Sequence, residues 1–117
     1  MLSPRLQLLR ESLQKLLRRR ADNHVERLLR RARPADVAVV MRFLDDREMN
    51  RVFDQLPDHE ARAETLAELD DHLVVDLISG RDADQIVPII AAMSPDDQAD
   101  VLSELSEEKR QSIIEVM

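Results

Sequence analysis

Ser94-Pro95-Asp96-Asp97-Gln98-Ala99-Asp100-Val101-Leu102-Ser103-Glu104-Leu105 holds one complete copy of the unit from which most of this chain is built. Ser94 can accept a backbone N–H as N-cap, Pro95 fits the first helical position, and Asp97 stands third, where a capping carboxylate is favoured. Gln98, Val101, Leu102 and Leu105 then recur at i, i+3, i+4 and i+7, so the last three form an apolar stripe along one side of a helix. On other faces Asp96, Asp100 and Glu104 are spaced four apart. Like charges at that spacing repel by ~0.2–0.5 kcal/mol per pair, so something must offset them.

The unit repeats. Twelve-residue units begin at Arg33, Asp45, Asp58, Asp70, Asp82, Ser94 and Ser106, with Pro57 as one extra residue before the third. Positions 8 and 9 of successive units read Val40/Met41, Val52/Phe53, Thr65/Leu66, Leu77/Ile78, Ile89/Ile90, Val101/Leu102 and Ile113/Ile114, apolar throughout except for Thr65. Position 12 is apolar in every unit but the fourth, where Arg81 follows Gly80, a residue suited to a left-handed helix stop. A helix of ten or so residues is about 15 Å long and marginal alone in water, so each must be stabilised by docking on its neighbours. Short helices joined by one or two residues and packed on the units before and after them make an all-α, right- or left-handed superhelix, an α-solenoid. Pro88, at the sixth helical position of its unit, removes a backbone hydrogen bond and predicts a bend.

Ahead of the repeat, Leu2, Leu6, Leu9, Leu13 and Leu16 lay a leucine face along a helix starting at Ser3-Pro4. Val25, Leu28, Leu29 and Ala32 mark a second helix that ends before Pro34. This N-terminal amphipathic pair is basic: residues 1–34 carry ten Lys/Arg and three Asp/Glu, against seven and twenty-one in the rest. It reads most simply as a cap over the end of the core, with membrane-surface, nucleic-acid and coiled-coil roles as the functional alternatives; on the membrane reading Arg18, Arg19 and Arg20 hold the domain against anionic lipid. Nucleic acid is not an expected partner, because residues 1–34 contain no aromatic side chain on which bases could stack. The expected organisation is one domain over 1–117, with basic helices over 1–32 and seven units over 33–117.

Composition excludes several classes. The chain has no Cys, hence no disulfide, thiolate metal site or cysteine nucleophile. Its longest apolar run, residues 86–93, is short and interrupted by Pro88, so no bilayer-spanning segment or signal peptide is expected and a cytoplasmic location is. His24, His59 and His72 lack metal-pair spacing and read as surface residues; no Gly-rich phosphate loop or nucleophile elbow occurs. Enzyme activity is not expected.

Carboxylates remain. Most fall in the first four positions of their units, where capping and the helix dipole account for them. Two series climb beyond the first turn: Glu60, Glu64 and Glu68, and Asp96, Asp100 and Glu104. Mg²⁺ takes oxygen ligands and keeps several waters, so one or two such carboxylates completed by a partner surface would make a weak site. A solvated acidic face, or one that meets a basic partner, would use the same residues.

The twelve-residue beat, with Arg33-Pro34-Ala35-Asp36-Val37-Ala38, Leu56-Pro57-Asp58 and above all Met93 through Glu108, resembles the N-terminal cytosolic domain of MgtE-type magnesium transporters. The resemblance covers nearly the whole chain. It implies a superhelical domain followed by a CBS-domain pair and a transmembrane domain, with Mg²⁺ held between the cytosolic parts when the channel closes. It further implies that Asp96, Asp97 and Asp100 face the CBS pair, and it is compatible with a homodimer through the full-length protein at the cytoplasmic face of the inner membrane. Candidate metal residues are therefore Asp96, Asp97, Asp100, Glu104, Glu64 and Glu60. The helix-repeat domains of the flagellar motor protein FliG look similar at this level and imply a metal-free interaction scaffold.

Overall fold

The computed structural model describes residues 2–117. Among them the secondary structure is entirely helical: α1 (Pro4–Arg18), α2 (Asp22–Arg31), α3 (Pro34–Met41), α4 (Asp46–Gln55), α5 (His59–Glu68), α6 (Asp71–Ser79), α7 (Ala83–Ala91), α8 (Pro95–Glu104) and α9 (Glu107–Val116). No helix is long and apolar enough to cross a membrane among the described residues.

Each expected unit start is the residue at the head of a helix, and side chains fix most of those starts. Asp45 Oδ1 accepts from Glu48 N at 2.8 Å while Glu48 Oε1 accepts from Asp45 N at 3.1 Å, a reciprocal box that satisfies two otherwise orphaned donors. Asp58 Oδ1 accepts from Ala61 N at 2.7 Å, and the Ser94 and Ser106 hydroxyls accept from Asp97 N and Lys109 N at 3.2 Å each. Ser3 does the same for α1, accepting from Leu6 N at 3.3 Å. Arg33 caps without a side-chain bond, and the fixed φ of Pro34 at the first helical position starts α3 instead.

The chain divides into two compact units, Met1–Glu68 and Leu69–Met117. In the first, α3 packs on α5, α2 on α4, and α1 lies against α2, α3 and α4. Its core includes Leu13, Leu17, Val25, Leu29, Val37, Met41, Met49, Val52, Phe53 and Leu66. Thr65, fully buried, donates its hydroxyl to Ala61 O at 2.7 Å, so the one polar residue at positions 8 and 9 of the repeat is satisfied within its own helix. In the second unit α6 packs on α8 and α7 on α9, around Val74, Leu77, Ile78, Ile86, Ile89, Ile90, Val101 and Ile113.

Three features differ from expectation. The extensive contacts inside each unit, α1–α2 apart, are not with the next helix but with the next but one, because connections of a few residues reverse the chain and place alternate helices side by side. Gly80 has φ −86°, so it is no left-handed stop; Arg81 instead turns back and donates from Nη1 to Leu77 O at 2.5 Å, satisfying a C-terminal carbonyl of α6. The left-handed residue is Arg20, at φ 54°, just beyond α1. The leucine face of α1 also rotates toward its end, where Leu17 is buried and Leu16 only half so.

Candidate functional site

A recurring device holds successive helices at their corners, and it uses the fifth position of the unit. Where that position is apolar (Val37, Met49, Val74, Ile86) the side chain joins the core. Where it is polar it reaches back to the carbonyls that end the preceding helix. Arg62 donates to Phe53 O, Asp54 O and Leu56 O at 3.0, 2.9 and 2.9 Å, and Arg110 to Leu102 O and Leu105 O at 3.0 and 3.1 Å. Gln98 donates from Nε2 to Met93 O at 3.0 Å. These donors add a hydrogen bond to carbonyls in or just past the last turn, of which Phe53 O and Leu102 O also accept a backbone N–H at 3.3 Å, from Leu56 and Leu105. Lys109 Nζ also donates to Arg81 O, tying α9 to the corner after α6.

With caps and corners so occupied, the acidic residues of α8 are left over. Asp96 is exposed in the first turn, Asp97 is half-buried beside the Ser94 cap, and Asp100 and Glu104 are exposed further along. At i, i+4 and i+8, Asp96, Asp100 and Glu104 form one strip that drifts slowly round the helix. None of the three forms an ion pair among the described residues. The dipole of α8 favours Asp96 in its first turn, but no ion pair among the described residues offsets the repulsion of Asp100 and Glu104, which is left to solvent or to a group from outside.

Glu60 and Glu64 sit on α5 of the first unit, both exposed. With Asp58 they edge an open groove of about 230 Å³ whose floor includes Leu29, Val37 and Leu56. Arg30 also borders it, bound to Glu26 at 2.7 Å. The six predicted carboxylates thus divide between two units, four on α8 and two on α5. Among the described residues no three His, Cys, Asp or Glu side chains converge closely enough to hold a metal ion. Each set offers at most a partial shell, and water or another surface would have to supply the other oxygens of an octahedral ion. His24, His59 and His72 are all exposed.

Two basic grooves were not singled out from the sequence. One, of about 530 Å³, is bordered by Arg18, Arg20, Arg47 and Arg51 together with Asp22 and the capping pair of α4. There Arg51 is committed, donating to Leu17 O at 2.8 Å and to Asp22 at 2.9 Å. The other lies between α1 and α2 and is lined by Arg5, Arg31 and Arg33 over a leucine floor. The only signal for either was the charge excess of residues 1–34, which does not say where folding gathers the cations.

Short capped helices, paired inside each unit with the next but one and carrying an exposed strip of acid on α8, define a helical-repeat domain. By sequence the chain belongs to the family described as the MgtE intracellular N domain, which it matches over residues 32–117. Helices α1 and α2 precede the matched segment. The fold is similar to that in a crystal structure of the soluble part of a magnesium transporter, with a TM-score of 0.83 over 96% of this chain at 13% sequence identity. This chain spans 44% of the length of that one. None of the curated proteins matches the chain by sequence.

Proposed function

We propose that the chain is the cytosolic, Mg²⁺-responsive regulatory domain of a magnesium transporter. In this reading it docks on a CBS-domain pair of the same polypeptide, Mg²⁺ bridges facing carboxylates, and the docked arrangement favours the closed channel. One observation carries it beyond family membership: the strip Asp96, Asp100 and Glu104 is exposed, without an ion pair, and too sparse in ligands to hold an ion by itself. A site of that kind is weak until a second surface completes it, which is what a sensor of millimolar Mg²⁺ needs. When Mg²⁺ falls, the facing acids repel and the domains part; when it rises, the ion neutralises them. Asp97, Glu60 and Glu64 are the further candidates, Glu60 and Glu64 for a separate contact made by the first unit.

The test is the double substitution Asp96→Ala with Asp100→Ala in the full-length transporter, with channel closure followed as Mg²⁺ is titrated. The expected result is a several-fold higher Mg²⁺ concentration for half-closure, with the helical circular dichroism of the isolated chain unchanged. An unshifted titration would remove these residues from the mechanism.

A further inference from the structure

Neither the repeat nor the metal-based reading uses the basic face of the first two helices. Helices α1 and α2 pack on each other and leave between them an open groove of about 230 Å³. Leu6, Leu9, Leu28 and Ala32, all half-buried, make its floor. Arg5, Arg31, Arg33 and Asp36 complete its walls. Arg5 is bound to Asp36 at 2.6 Å, whereas Arg31 and Arg33 are exposed and form no ion pair among the described residues. One turn before Arg31, on the same strip of α2, stands Arg27, also exposed. Three residues after Arg5 stands Leu8, 65% exposed and the most exposed large apolar side chain described.

We propose that this face of α1 and α2 docks on a bilayer surface carrying anionic headgroups. Arg27, Arg31 and Arg33 meet headgroup phosphates, the half-buried leucines rest at the boundary with the acyl chains, and Leu8 inserts. Guanidinium suits phosphate because its planar fork can donate two hydrogen bonds to one group. An array of headgroups fits better than a single phosphate, since Arg27 and Arg31 stand about 6 Å apart along α2 with Arg33 beyond its end, rather than gathered round one point. The groove is too small to seat a partner helix about 10 Å across, and the basic helices offer no aromatic platform for single-stranded nucleic acid. The formal charge of the whole chain is −7, so its overall field repels an anionic surface, and attraction can only be local. The inference does not depend on the Mg²⁺ reading, since it uses none of the same side chains.

The test is sedimentation of the 117-residue chain with phosphatidylglycerol–phosphatidylcholine vesicles at low ionic strength. Partition into these vesicles, absent with phosphatidylcholine alone and abolished by high salt, is the expected result. R27E/R31E/R33E should reduce partition tenfold or more, R27Q/R31Q/R33Q several-fold, and L8E several-fold at unchanged net arginine content. The charge-matched R18E/R19E/R20E should cost no more than about threefold, because it alters only the general field. Equal binding to neutral vesicles, equal loss in the two charge-reversal triples, or displacement by millimolar inorganic phosphate would each overturn the proposal. So would capture of an acidic polypeptide or RNA as strong as capture of the anionic vesicles. Circular dichroism of each variant confirms that folded protein is compared.

Discussion

Arg62 on α5 donates from Nε to the carbonyl of Phe53 on α4 at 3.0 Å, and the same guanidinium caps Asp54 and Leu56. One side chain so closes the C-terminus of the helix before its own. Arg62→Ala leaves three carbonyls without that donor, some of them part-buried, and should lower unfolding free energy by about 2–3 kcal/mol. Arg62→Lys, with a point charge in place of a planar fork, should recover only part of it. Urea denaturation of the two variants against the parent measures both.

Phe53 is fully buried, whereas Ile114, at the equivalent ninth position of the last unit, is 47% exposed. Phe53→Ala should cost about 3–5 kcal/mol through lost burial and the cavity left behind. Ile114→Ala should stay within about 0.5 kcal/mol. Similar penalties for the two would contradict the burial pattern, and thermal melts suffice to compare them.

The acidic strip of α8 should be a liability to the isolated domain. Replacing Asp100 with Ala removes two unfavourable spacings, to Asp96 and Glu104, each worth ~0.2–0.5 kcal/mol at low salt. The melting temperature should therefore rise slightly at low ionic strength and converge with the parent as salt is added. A fall at low salt would mean that Asp100 has a favourable partner in the folded domain.

Pro88 stands exposed inside α7 and cannot donate to the carbonyl four residues earlier. Pro88→Ala restores that hydrogen bond but frees the unfolded chain, so the net gain should be about 1–2 kcal/mol, below the ~3 kcal/mol of an unaccommodated helix proline. A destabilised variant would show that α7 is shaped around the ring.

The repeat was legible because its signals are local. A capping residue at position 1 and apolar residues at positions 8 and 9 lie in one helix, and nearly all of those apolar residues are buried, with Leu102 half-buried and Ile114 exposed as the departures. Gly80 misled because its neighbour Arg81 could satisfy the carbonyl that a left-handed turn would have served. Arg62 and Arg110 escaped notice for a related reason: an arginine at an otherwise apolar position looks like an interruption until its target on another helix is known. The acidic residues were visible as strips, but Glu60 and Glu64 lie in a different unit from Asp96 and Asp100, and spacing along a chain carries no information about such separations.

Within each unit, α2 leans on α4, α3 on α5, α6 on α8 and α7 on α9, so the pairing there has parity. Duplicating or deleting a single twelve-residue helix inside a unit would present the later side chains of that unit to the wrong neighbour, whereas a change of two helices would preserve the matches. A variant with one helix inserted inside a unit should therefore lose more stability in that unit than a variant with two.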